Sequence, residues 1–242
     1  MNLFCNMKNL IVLVIILSFS LQTRAQYFPY EAYSAGEINL AAKDNEFMPS
    51  AAFNNFSQGQ FKIGFAFRLT SFFAKNKTYI TAPAIYTSGK VGPSVFFADQ
   101  IPENIDTIVF KKPNGHSLNV AILLEYSFNQ NWAAGFNIDL FGLTFGGENK
   151  GQYKDLNQQT VSAKPTFFNA LLISDNDRGS LNSEFYAKYY MSDNPTYFKF
   201  GASFYFNEQK TLKKQRLKND RFRYKSLAPV FGIGYLLPNS VL

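Results

Sequence analysis

Few side chains in this sequence could do covalent chemistry. The single histidine, His116, adjoins Ser117, the two residue types from which a nucleophile and its base are made. A hydrolytic pair also needs an acid to orient the imidazole. The nearest acid on that stretch is Glu125, nine residues on and roughly 30 Å away in extended chain at ~3.3 Å per residue. His116 therefore reads as an exposed histidine, with no catalytic residue assigned and no enzyme expected. The lone cysteine, Cys5, excludes a disulfide framework and a cysteine-built zinc cluster. No phosphate-cradling loop, dinucleotide fingerprint or paired metal-ligand motif occurs, so neither a cofactor nor a metal is expected.

The charges that remain are arranged more informatively. Glu37, Lys62, Arg68, Glu125, Asp139, Glu184, Lys188 and Lys199 each stand inside an alternating apolar run, on the phase opposite the large apolar residues. Four acids and four bases on one face can neutralise one another in a narrow interior, where an unpaired charge would be costly. They read as a polar plug in preference to an ion path. A second concentration is basic: Lys210, Lys213, Lys214, Arg216, Lys218, Arg221, Arg223 and Lys225 oppose only Glu208 and Asp220, a local net charge of +6. Clustered Lys and Arg suit anionic groups, and Lys210, Lys213, Lys214, Arg216, Lys218 and Arg221 are the candidate anion contacts.

The elements that must position these residues follow a period of two. In 61–69, Phe61, Ile63, Phe65, Phe67 and Leu69 alternate with Lys62, Gly64, Ala66 and Arg68. The same separation runs through 117–128, 132–140, 197–206 and 227–237, and alternation of this kind is the strand signature. With weaker members at 33–42, 78–89 and 180–191, eight strands are expected: 33–42, 59–73, 78–89, 116–128, 132–145, 180–191, 196–207 and 222–237. Short polar links at 74–77, 129–131 and 192–195 alternate with long ones at 43–58, 90–115, 146–179 and 208–221. Transmembrane barrels have the same rhythm, with short turns on the periplasmic side and long loops outside. The number becomes ten if 146–179, with its apolar 166–173, holds a further hairpin. Phe73, Tyr79, Tyr126, Phe128, Trp132, Tyr189 and Tyr197 crowd the short turns and are expected to form an aromatic girdle at one interface.

Composition fits that picture. Of 242 residues 46% are hydrophobic and 17% aromatic, with 27 Phe and 14 Tyr, but only 17% are charged, against roughly a quarter in ordinary soluble domains. The face opposite the large apolar residues is Gly, Ala, Ser and Asn with scattered charge. That is too small and sparse for the solvated exterior of a secreted β-sandwich, the competing architecture, but suits the crowded interior of a small barrel. The first 25 residues have the three-part layout of a secretory signal peptide: Lys8, the apolar block LIVLVIILSFSL at 10–21, then small residues at Thr23 and Ala25. Removing Lys8 and Arg24 leaves 22 basic against 17 acidic residues, so segment 26–242, the expected barrel domain, carries +5. Export argues against nucleic acid as the partner of that charge.

The stretch 129–146, NQNWAAGFNIDLFGLTFG, resembles the turn-and-strand unit of small outer-membrane β-barrel proteins of Gram-negative bacteria, the eight-stranded transmembrane type and in particular its Bacteroidota members. The Ala25-Gln26 junction is similar to cleavage sites of that group. The resemblance implies a closed, antiparallel, up-and-down transmembrane β-barrel in the outer membrane, inserted by the outer-membrane assembly machinery and surrounded by outer-membrane lipid and lipopolysaccharide. Many such barrels end on an aromatic residue. Here Phe231, Ile233, Tyr235 and Leu237 fit a last strand, but five further residues follow and the sequence ends on Leu242. The implied role is non-enzymatic, in envelope structure or surface interaction through long outer loops. A passive small-solute pore and an outer-leaflet lipid-modifying enzyme are the alternatives. The sequence names no partner for the loops.

Overall fold

The computed structural model describes residues 32–91, 94, 97–154, 159–172, 176–192, 194–213 and 218–237. The expected signal peptide, Lys214 and Arg216 lie outside them. Among the described residues thirteen strands join one antiparallel, ring-like sheet. Eight are long or nearly so: β1 (Tyr33–Lys43), β2 (Glu46–Phe56), β3 (Phe61–Ala74), β6 (Asn114–Ser127), β7 (Trp132–Phe145), β11 (Leu181–Tyr190), β12 (Thr196–Thr211) and β13 (Arg221–Leu237). The rest are short: β4 (Lys77–Thr81), β5 (Thr107–Phe110), β8 (Asn149–Tyr153), β9 (Thr160–Pro165) and β10 (Phe168–Ala170). Each long strand pairs with the next, and β13 pairs with both β12 and β1. No helix among the described residues is long and apolar enough to cross a membrane.

The expected strand at 78–89 and link at 43–58 are corrected here. Residues 46–56 form β2, entered through a two-residue turn at Asp44-Asn45 in which Asp44 takes a φ of 50°, a left-handed conformation that short Asp and Asn side chains tolerate. Pro49 and the polar pair Asn54-Asn55 obscure the alternation there. Segment 78–89 instead yields the short β4 and then a single helical turn, α1 (Ala84–Thr87). One end of the molecule therefore gathers the turns at 57–60, 128–131 and 191–195. The turn at 75–76 lies at the opposite end with that at 44–45, to which it is joined by Lys75 N donating to Asn45 O at 2.9 Å.

The short strands explain the long links. β4 pairs with β13, β5 with β4, β8 with β5, β9 with β8, and β12 with β9. Because β12 and β13 also pair with each other, these six ladders form a second, smaller ring that continues two strands of the first. The hairpin expected as an option within 146–179 exists as β8 and β9, but it belongs to this second ring. β10 adds a three-residue ladder to β7.

The two rings have opposite polarity. In the eight-strand ring Phe61, Ile63, Phe65, Phe67 and Leu69 face outward, Phe65 being 47% exposed, while Lys62 and Arg68 between them are buried. Phe141, Phe185, Phe204, Leu227 and Phe231 share the outer face. In the second ring Tyr79, Ile108, Phe110, Tyr153, Val161, Ala163 and Phe222 form a packed core. Thr78, Lys150, Gln152, Thr160 and Lys164 are exposed outside it, with the apolar Ile80 among them. The phase of β7 also changes within the strand. Ala121 pairs with Asp139 but Val120 with Phe141, so Leu140 is an extra residue. This β-bulge turns outward positions from even, as at Phe136 and Ile138, to odd, as at Phe141 and Phe145.

Candidate functional site: a salt-bridged interior

All eight charges that the alternation placed on the opposite phase are buried inside the eight-strand ring. Period-two geometry puts them there, and the narrow ring brings side chains from facing walls into contact. Lys199 on β12 joins two carboxylates, Glu37 Oε1 on β1 at 2.7 Å and Glu184 Oε2 on β11 at 2.6 Å. Arg68 on β3 pairs with Asp139 on β7 through Nε at 3.0 Å, and with Glu184 at 3.2 Å. Lys188 on β11 reaches Glu125 on β6 at 2.9 Å. Lys62 Nζ donates to Gly59 O at 2.9 Å and lies 5.6 Å from the centre of the Tyr33 ring.

A shell of uncharged partners completes the network. Tyr33 and Tyr190 donate to Glu125 Oε1 at 2.8 and 3.0 Å, and Tyr197 donates to Glu37 Oε2 at 2.8 Å. Asn137 holds Glu184 Oε2 and accepts from Arg68, both at 2.8 Å. Above Asp139, Asn119 donates to its Oδ2 at 2.7 Å and accepts from Asn169 at 2.7 Å. Alternation places these inward Asn and Tyr residues just as it places the charges. Their importance goes unread because uncharged polar residues also fit turns and interfaces. Tyr197 shares the phase of Lys199, so its assignment to the girdle is corrected: it is fully buried and points inward. Tyr79 is likewise fully buried, in the core of the second ring.

The other girdle residues are exposed and divide between the two ends. Tyr126, Phe128, Trp132 and Tyr189 surround the short turns, with Tyr126 against Phe128 at 5.2 Å and Trp132 against Tyr189 at 5.0 Å between ring centres. Phe73 is at the opposite end, beside His116 at 5.5 Å, because the turn after β3 belongs there. The histidine does not approach Ser117, which is buried facing inward. Its Nδ1 instead lies 2.9 Å from Ser71 Oγ on the outer wall.

At the second ring, Glu46 and Glu208 are buried acids; the expected links at 43–58 and 208–221 cover both, and Glu208 is expected only as a counter-charge of the basic hairpin. Glu208 binds Arg221 at 2.8 Å and Arg223 at 3.1 Å. Glu46 binds Lys77 at 3.0 Å and accepts from Tyr224 at 2.6 Å and from Ser226. Burial pulls the Lys77 ammonium down, but Tyr224 and Glu46 outweigh it and hold its pKa above the ordinary value. Burial, with Asp106 nearby, pushes the Tyr153 phenol well up. In the basic hairpin Lys210 lies 3.5 Å from Asp220 and Arg221 is held by Glu208, while Lys213 and Lys218 flank residues outside the description. Among the described residues no group of three or more His, Cys, Asp or Glu is placed to hold a metal.

No family model matches the chain, and no curated protein does. Solved structures similar to it include Neisserial surface protein A, at 9% identity over 84% of this chain and 94% of that one, with a TM-score of 0.36. Another is Ail, the attachment invasion locus protein of Yersinia pestis, crystallised with the heparin analogue sucrose octasulfate. It is 11% identical over 85% of this chain and 97% of that one, with a TM-score of 0.33.

Proposed function

We propose that this chain is a non-enzymatic outer-membrane β-barrel, closed through its eight long strands, that presents a rigid outer platform for envelope structure or surface interaction. The observation that carries the reading is the inversion of polarity between its two rings. A sheet with Phe, Leu and Ile outside and a charge network inside is matched to hydrocarbon, since closure satisfies every backbone amide and lipid requires no polar exterior. The second ring, apolar inside and largely polar outside, is matched to water. On β3 the outward apolar and aromatic positions run from Phe61 to Phe73, which at ~3.3 Å per residue and a tilt of about 40° spans roughly 30 Å, close to a hydrocarbon core.

Residues 1–25 act as a cleaved signal peptide in this reading, and the assembly machinery and outer-leaflet lipid are the partners. The end bearing the second ring faces outward and the end with three short turns faces the periplasm. The crossing network of Lys199, Arg68 and Lys188 supports a plugged interior over a pore. The test is fractionation followed by gel migration with and without boiling. A boil-dependent mobility shift of outer-membrane material agrees with the proposal; recovery in the osmotic-shock fraction overturns it.

A further inference from the structure

Among the described residues a second concentration of unpaired positive charge lies where three turns meet at the outer rim, away from the last hairpin. Lys43 sits at the β1–β2 turn, Lys75 at the β3–β4 turn, and Lys111 and Lys112 between β5 and β6. Backbone bonds stitch these turns side by side: Lys75 N to Asn45 O at 2.9 Å, Asn76 N to Lys111 O at 3.0 Å and Ala74 N to Pro113 O at 3.1 Å. Lys43 on β1, Lys75 just after β3 and Lys111-Lys112 just before β6 stand on segments with only β2 between the first two, so at ~4.8 Å spacing the four lysines lie within about 15 Å across the wall. All four are exposed, and none takes part in an ion pair among the described residues. The acids on these turns are the exposed Asp44 and the buried Glu46, which is already held by Lys77. The last hairpin, by contrast, sets its Lys210 and Arg221 against its own Asp220 and Glu208.

Directly below these lysines the wall becomes apolar. Phe47 and Phe73 are cross-strand partners facing outward, and Lys75 follows Phe73 by two residues, about 7 Å along the strand. That step matches the headgroup layer, which occupies roughly 5–7 Å per leaflet. We infer that Lys43, Lys75, Lys111 and Lys112 form a binding site for the phosphate groups of a phosphorylated acyl lipid of the outer leaflet, whose chains lie along Phe47 and Phe73. This inference rests on the membrane orientation proposed above. Charged phosphate hydrogen-bonds strongly to ammonium groups, and the apolar wall selects a lipid over a free anion.

The test uses the full chain folded in a neutral maltoside detergent and titrated with lipid A or with its dephosphorylated counterpart, bound lipid being counted by native mass spectrometry. The variants are K43Q/K75Q/K111Q/K112Q, the matching set of arginine replacements, and the hairpin set K210Q/K213Q/K218Q. The expected result is at least a tenfold loss of lipid A affinity in the first set alone, binding kept by the arginine set, and wild-type binding of the dephosphorylated lipid as weak as that of the first set. Unchanged affinity in the first set, a larger loss in the hairpin set, or equal binding of both lipids would overturn the site. The boil-dependent gel shift is read on every sample. If wild type lacks it, the membrane reading itself fails; if wild type and the glutamine set both keep it, a binding loss reports the lysines.

Discussion

Replacing Lys199 by methionine tests whether the interior is a dry, mutually neutralised network. Lys199 contacts Glu37 at 2.7 Å and Glu184 at 2.6 Å, and all three side chains are buried. Removing one partner of a buried pair costs about 3–5 kcal/mol, because a charge is left without compensation. Here the lower end applies. Glu37 keeps Asn39, Asn54 and Tyr197, and Glu184 keeps Arg68, Asn137 and Asn182. A loss of about 3 kcal/mol lowers the folded-to-unfolded ratio by roughly two decades at ~1.4 kcal/mol per decade. The assay is urea unfolding in phosphatidylcholine vesicles, with the folded fraction read from unboiled gel migration. Adding E184Q to K199M restores interior neutrality and is expected to recover part of the loss. If K199M costs less than about 1 kcal/mol and the double variant recovers nothing, the interior is hydrated and screened. The plugged-barrel reasoning would then be wrong and the pore favoured.

Further predictions concern the walls and the second ring. Phe65→Lys places a charge on the outer wall near mid-height and is expected to cost about 2–4 kcal/mol in vesicles, whereas Thr78→Lys on the second ring is expected to change little, both read by the same unfolding assay. Gly234→Ala would set a Cβ 2.0 Å from Tyr197 Cζ, so the ring must leave Glu37, and a lower unfolding midpoint is expected. Ser71→Ala and His116→Ala are expected to leave the acyl pattern of outer-leaflet lipid unchanged by mass spectrometry; a changed pattern would revive the enzyme. Because the Lys77 pKa is raised, its stabilising contribution is complete below the unfolded lysine value near 10.4 and falls as pH rises through the higher folded value. Hydrogen exchange in 77–81 is thus expected to accelerate in that alkaline window before exchange in β3.

Much of the eight-strand ring is legible because large apolar residues and small polar ones alternate without interruption, as in β3, β6, β12 and β13. The interior charges are legible for the same reason: phase alone assigns Lys62, Arg68 and Lys199 to one face. β2 is obscured by Pro49 and by Asn54-Asn55, whose types suit turns. The counted strand at 78–89 held the total at eight and reversed the end at which Phe73 lies. The second ring is hidden because strands of four to six residues, such as β5 and β9, carry too few alternations to stand out. Its apolar face also points inward, as in any water-facing sheet. Contact partners such as Ser71 for His116 depend on register between strands 45 residues apart, which composition and spacing do not encode.

The central claim is that the Phe-rich outer wall lies against acyl chains. Trp132 is the only tryptophan, so Phe65→Trp in a Trp132→Phe background gives one fluorophore near the middle of that wall. In vesicles whose lipids carry bromine at successive chain depths, quenching that is strongest for bromines near the bilayer centre, with no response to aqueous iodide, is the predicted result. Quenching by iodide, or indifference to bromine at every depth, would contradict it.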